Sequence, residues 1–208
     1  MTYLQPILYL VAPMISGALL AESALFFRED WKESPFALPI TEEHVANPQL
    51  RLRTHGPGRL GIKKSHHAEI VNDPFYVWSG KCESNWALSL KKTGFLVDLT
   101  AADAKVRWRS RQSGGHALHL VLMLPDDRWL VSDQSDAGTE WHDHEFLVSE
   151  LTWRLFSASE AEAGERVEAP RLDHVAEIGF TDLKPGKGSP SSSRLDWIEV
   201  FGVALEVP

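Results

Sequence analysis

Between Lys105 and Arg111 the chain reads KVRWRSR, which places a basic side chain at every second residue: Lys105, Arg107, Arg109 and Arg111. Residues i, i+2 and i+4 of a strand share one face. The spacing therefore predicts a strand with four cations on one side and Val106, Trp108 and Ser110 on the other. A guanidinium is a planar fork of donors that matches a carboxylate or a pair of hydroxyls, and its flat face stacks on aromatic rings. A row of three suits a polar or acidic glycan. The opposing reading is that these arginines are solvated and paired with acids, each pair contributing only about 0–1 kcal/mol.

Eight tryptophans accompany the row. Trp86, Trp108 and Trp153 fall on the apolar parity of their segments and are expected in the core. Trp78, Trp129 and Trp141 adjoin turns, where an exposed indole can stack on a pyranose while nearby polar groups hold its hydroxyls. The substrate-binding candidates are Arg107, Arg109, Arg111, Trp78 and Trp129. The loop GPGRLGIKKSHH, ending in His66 and His67, is expected to close one side.

Other residues could hold a metal or move protons. His142 and His144 in HDH share a strand face and offer two imidazoles, although no recognised zinc spacing is present. His66 and His67 are adjacent and diverge on an extended chain, and His116 and His119 differ in parity. For glycosidic hydrolysis two carboxyls must flank the bond, and Asp133, Asp136 and Glu199 are available. A lyase would need a base and a charge neutraliser, roles that Tyr76, His66 or His67 could fill with Arg107 or Arg109. No nucleophile elbow, phosphate loop, dinucleotide motif or HExxH occurs.

Short alternating segments must position these groups: LRLRT, FYVWS, NWALSLKK, FLVDLT, HALHLVLML, RWLVSD, EFLVSE, TWRLFSA, VAEIGFTD and RLDWIEVFG. Turn formers such as SGG, PDD, SDAG and KPGKGSPSSS separate them. Strands this short and this regularly spaced predict an all-β sandwich or barrel. If HALHLVLML pairs with the arginine strand, the arginines occupy an open face. SASEAEAGERVEAP reads as a short helix or loop, and residues 33–72 as long surface loops, a setting favoured by binding sites.

The net charge of -8 excludes a general nucleic-acid binder, since phosphate neutralisation needs a basic surface. Residues 1–24 combine an apolar run from Ile7 to Leu20 with small residues after it, the layout of a signal peptide, although no Lys or Arg precedes the run. A short anchor is the alternative. The run is shorter than the roughly 20 residues a spanning helix needs. A secreted or periplasmic protein, without stable membrane insertion once the leader is removed, is expected. Cys82 is the sole cysteine, so an internal disulfide is impossible.

From Asp98 onward the order DLT, KVRWRSR, PDDRWLVS, WHDHEFLVSEL, IGFTDL and RLDWIEVFG resembles the galactose-binding-like jelly-roll sandwiches of carbohydrate-binding modules. The likeness covers the second half of the chain and is structural. It implies a jelly-roll β-sandwich over residues 25–208, with long loops in the N-terminal half. It also implies a structural Ca2+ near the first and last strands, for which Glu29, Asp30 and Asp196 would supply oxygens. FFREDWKE, HVANP, GIKKSHH and DPFYVWSG resemble uncharacterised exported bacterial proteins found beside glycoside hydrolases or 3-keto-disaccharide hydrolases, and carry over no catalytic residue. The leading expectation is an exported protein binding a polar or acidic glycan or polysaccharide on an open sheet face. The alternatives are a glycoside hydrolase or polysaccharide lyase on that scaffold, or a structural or protein-interaction module.

Overall fold

Burial along Lys105–Gln112 alternates residue by residue, with Val106, Trp108, Ser110 and Gln112 inward and the four cations outward. The computed structural model describes residues 23–207 and builds fourteen strands among them. They are β1 (Ala24–Glu29), β2 (Leu50–His55), β3 (Lys63–Ser65), β4 (Tyr76–Trp78), β5 (Ala87–Lys92), β6 (Phe95–Asp98) and β7 (Lys105–Gln112). The second half contributes β8 (Leu118–Met123), β9 (Trp129–Asp136), β10 (His142–Leu147), β11 (Trp153–Ser157), β12 (Glu162–Val167), β13 (Glu177–Thr181) and β14 (Ser193–Glu206). The expected leader falls almost wholly outside the described residues, among which no helix is long and apolar enough to cross a membrane.

Two seven-stranded antiparallel sheets make a β-sandwich of jelly-roll type. The first runs β10-β7-β14-β4-β3, with β1 and β6 also on β14; the second runs β12-β11-β9-β8-β13-β5-β2. At fourteen residues β14 is long enough to serve β7, β4, β1 and β6 in turn. The apolar β8 is central, as its two-sided hydrophobicity demands. It does not pair with the arginine strand: β7 lies in the opposite sheet, between β10 and β14. Trp86, Trp108 and Phe180 interlock between the sheets, with Trp108 edge-on to Phe146 at 4.7 Å and to Phe180 at 6.4 Å. Cys82 is wholly buried in this core.

The acidic stretch expected as a helix or loop is instead the edge strand β12, hairpinned onto β11. Its residues are largely exposed, so helical periodicity had no buried stripe to serve while the β11 edge offered backbone partners. Trp129, expected at an exposed strand end, is only 8% exposed, because Phe156 of the paired strand β11 and His55 of β2 cover it.

On the outer surface of the second sheet, polar side chains from three strands close a chain of hydrogen bonds. The buried Glu177 carboxylate accepts from Arg53 Nη1 and from Ser89 Oγ, each at 2.6 Å. With its proton used there, Ser89 accepts from His55 Nε2 at 2.9 Å. The His55 ring also stands edge-on to Trp129 at 4.6 Å. Burial, reinforced by Arg53 and opposed by Glu177, lowers its pKa to about 4.

A histidine neutral when folded and protonated when unfolded binds fewer protons in the native state. Its contribution is therefore present above pH 6.5 and lost as pH falls toward 4. Melting curves across pH 6.5 to 4 should show His55→Gln losing less stability than the parent. The difference should stay below about 3 kcal/mol, because solvent screens a ring that is only half-buried. Equal slopes would refute the assignment. On β3 the wholly buried Lys64 ammonium has no hydrogen-bond partner among the described residues and sits 4.5 Å above the Phe75 ring, and burial lowers its pKa to about 8. Lys64→Met keeps the stem and removes the orphaned charge, so urea unfolding at pH 7 should show a gain of about 1–2 kcal/mol.

Candidate functional site

Antiparallel register lines up the outward side chains of the first sheet in rows that cross its strands. One row reads Glu145, Arg107, Glu199 and Arg28, with signs alternating across β10, β7, β14 and β1. Arg28 Nη1 is 2.6 Å from Glu199 Oε1, and Arg107 lies 3.5 Å from Glu199 and 3.6 Å from Glu145. Lys105 also reaches Glu145, at 3.0 Å. Two residues along β7, Arg109 donates to Asp196 Oδ2 at 2.8 Å and lies 5.5 Å from the Trp141 ring centre. Burial raises the Asp196 pKa against the pull of Arg109. The indole of Trp197, just past a bulge in β14, has Arg28 at 4.7 Å and Arg107 at 5.9 Å. Arg107 and Arg109 thus have internal counter-ions, the arrangement of the opposing reading.

The next row is different. Arg111, Arg194, Trp78 and Lys63 stand in register across β7, β14, β4 and β3, all half-buried. Among the described residues none of these three cations forms an ion pair. Arg111 Nε donates to the Thr139 carbonyl at 3.2 Å. Arg194 donates to Ser189 Oγ at 2.8 Å and to the Ser189 carbonyl at 3.0 Å. Trp78 donates its indole N–H to Ser192 Oγ at 2.8 Å, and Lys63 Nζ lies 5.2 Å from the Trp78 ring and 4.8 Å from that of exposed Phe36. Burial depresses the Arg194 pKa, with Tyr76 and Asp73 opposing and Arg111 adding to it; burial and Lys81 depress that of Lys63.

The 66–78 segment walls one side of this row. Tyr76, on the same strand face as Trp78, has its hydroxyl 3.3 Å from His67 Nδ1 and its ring edge-on to Trp141 at 5.5 Å. Asp73 fixes His67 through the backbone N–H at 2.7 Å and Nδ1 at 3.1 Å. His66 turns away to stack on Phe75 at 4.0 Å. Arg107, Arg109, Arg111, Trp78 and His67 therefore gather on or beside one face, whereas Trp129 lies on the other sheet. Sequence parity missed Arg194 and Lys63, whose importance depends on which strands flank β14. Clefts of about 300, 340 and 520 Å3 are lined by other residues.

At the rim beyond Trp78, three side chains distant in sequence meet. His116 Nδ1 is 2.9 Å from buried Asp182 Oδ2, and His116 Nε2 is 3.1 Å from Ser191 Oγ. Asp182 also accepts from Ser79 Oγ at 3.1 Å and from the Lys184 backbone N–H at 3.1 Å. Exposed Gly114, at φ +62°, abuts the serine, and Gly115 follows at φ +74°. The histidine was visible in sequence, but nothing linked it to a serine 75 residues later.

The carboxylates considered for calcium have other partners. Glu29 is fully buried and accepts the backbone N–H groups of Trp31, Ala46 and Asn47 at 2.7–2.9 Å, pinning the 45–47 loop. Burial raises its pKa against those bonds. Asp30 pairs with Arg28 and Asp196 with Arg109, and the three do not converge. Among the described residues, the donors that do converge are Asp136, His142 and His144. Of the hydrolase candidates, Asp133 is held by Arg154 at 2.6 Å and Glu199 by two arginines.

No protein-family model and no curated protein matches the chain. Among solved structures, it is similar to the family 11 carbohydrate-binding module of cellulosomal cellulase Lic26A-Cel5E of Clostridium thermocellum, at 10% identity and TM-score 0.46, over 88% of this chain and 96% of that one. The same bacterium's family 11 module in complex with a beta-1,3-1,4-mixed-linked tetrasaccharide gives 11% identity and TM-score 0.44, over 84% and 99%. An exo-beta-agarase gives 8% and 0.43, over 84% of this chain and 25% of the enzyme. At such identities and scores the likeness is one of two-sheet outline and transfers no residue role.

Proposed function

We propose that this protein binds an anionic polysaccharide across the open face of its first sheet, along the row Arg111, Arg194, Trp78 and Lys63. The observation that carries the reading is that, among the described residues, three neighbouring cations form no ion pair in a chain of net charge -8, while Arg107 and Arg109 on the same face do. Like charges directly opposite on adjacent strands, as Arg111 and Arg194 are, destabilise a sheet unless something anionic lies over them. Three inter-strand spacings of about 4.8 Å give the row a length of about 14 Å, suited to an extended chain. Trp78 adds an aromatic surface for a sugar ring, and guanidinium forks match uronate carboxylates or sulfate groups.

Binding of a uronate-rich and of a sulfated polysaccharide, beside an uncharged glucan, should be measured by titration calorimetry at low and high salt. Arg111→Ala and Arg194→Ala should each weaken binding of an anionic glycan about 10-fold or more, and salt should weaken it further. Arg107→Ala, whose cation already has internal partners, should change affinity less than about 3-fold. Preference for the uncharged glucan would overturn the proposal, as would equal losses from Arg107→Ala and Arg194→Ala.

A second reading is favoured by Ser191, His116 and Asp182. Their connectivity is that of a nucleophilic relay: the carboxylate orients the imidazole, whose other nitrogen faces the hydroxyl. Ser192, next in sequence, is bonded to Trp78, so the relay would act on esters carried by a glycan lying on the row. In that reaction Ser191 Oγ attacks the ester carbonyl, His116 takes the proton and passes it to the departing alcohol, and water then releases the acid. A fluorophosphonate probe should label the parent and not Ser191→Ala. Failure to label folded parent protein would reduce the trio to a tie for the 183–192 loop.

A further inference from the structure

The structure assigns a transition-metal site to Asp136, His142 and His144, at the edge where the two sheets meet. His142 and His144 project from one face of β10, and Asp136 ends β9 in the other sheet. One donor atom from each lies within 4.8 Å of the other two, with Asp136 buried and the imidazoles half-buried.

Hydrogen bonding around the trio argues for a cation between them. His142 Nδ1 is 2.8 Å from the Glu140 carbonyl and its Nε2 is 2.8 Å from Asp136 Oδ1, so both ring nitrogens face oxygen acceptors. A neutral imidazole carries one N–H, and the other nitrogen needs a cation. A second proton would answer for His142 alone. It leaves His144, whose ring nitrogens make no hydrogen bond among the described residues and whose ring stands edge-on to Phe146 at 4.4 Å. A metal ion accounts for all three donors.

The surrounding groups have the form expected of supports for metal ligands. Asp136 Oδ2 accepts from Trp108 Nε1 at 2.9 Å and from Ser110 Oγ, while Oδ1 accepts the Gly138 N–H at 3.1 Å. With an ion at Nε2, the His142 Nδ1–H would donate to the Glu140 carbonyl 2.8 Å away, the tautomer that leaves the Nε2 lone pair for the metal. A side chain at position 138 would overlap the His142 ring, so Gly138 is part of the construction. Two nitrogens and one carboxylate oxygen are a donor set for Zn2+ and its neighbours rather than for Ca2+, which takes six to eight oxygens. Ligand distances of about 2.0–2.2 Å are within reach of small ring movements, and three protein ligands leave a fourth position open.

An ion there would clasp β10 to β9 and fix the segment 137–142, which carries Thr139 against Arg111 and Trp141 against Tyr76. The site's existence is independent of the glycan proposal; its bearing on ligand affinity rests on that reading.

Full-length protein stripped with a chelator should be titrated with Zn2+, with Ca2+ and with Co2+, reading stoichiometry, melting temperature and the visible bands of Co2+. One equivalent of Zn2+ should bind, and at about 100-fold excess over Kd the melting temperature should rise about 5–10 °C. Ca2+ should leave it unchanged. His144→Ala, which breaks no hydrogen bond, should lose the Zn2+ shift relative to its own metal-free form and the Co2+ bands, whereas His67→Ala should retain both. Absence of stoichiometric Zn2+ binding would overturn the assignment, as would an undiminished shift in His144→Ala. Glycan titration with and without Zn2+ then tests the coupling separately.

Discussion

Pairing of β7 with β14 is the constraint on which the rest of the molecule depends. Eight registered positions between them commit Trp108, Val106 and Ile198 to the core and, by the two-residue period of a strand, commit the arginines to the opposite side. A slip of one residue would bury four cations and expose the indole. Trp108 resists it twice, by packing on Phe146 and Phe180 and by donating its N–H to Asp136 of the other sheet.

An outward row of cations on one strand is repulsive unless its neighbours answer it. Glu145 on β10 and Glu199 on β14 do so for Arg107, and Asp196 for Arg109. Beside Arg111 the register brings Arg194, then Trp78 and Lys63, so charge accumulates at that end of the sheet. Arg111 and Arg194 rest on backbone carbonyls and a serine hydroxyl, and Lys63 on the Phe36 and Trp78 rings, contacts that hold their geometry without cancelling their charge. On the proposed reading, an anionic ligand would meet preorganised donors there without displacing an ion-paired carboxylate.

Much of the fold was legible because its cause is local. Alternation in KVRWRSR, two-sided apolarity in HALHLVLML and turn chemistry between strands follow from period-two geometry. β12 was not legible: its acidic residues bury almost nothing, and only the exposed edge of β11 gives that backbone hydrogen-bond partners. Trp129 was misplaced for the same reason, since cover over an indole comes from a strand remote in sequence.

The site divides along that line. Chain order alone told that the arginines share a face, that His142 and His144 share one, and that Trp108 is internal, because side-chain parity is a property of consecutive residues. Which arginine stays without a counter-ion depends on strand neighbours, and those are set by pairings such as Arg111 with Arg194, 83 residues apart by number. Asp136 joins His142 and His144, and Ser191 meets His116 and Asp182, only where separate strands and loops converge. Parity is written into the chain because each peptide constrains the next; partnership waits for packing, because it is a relation between segments that the chain keeps apart.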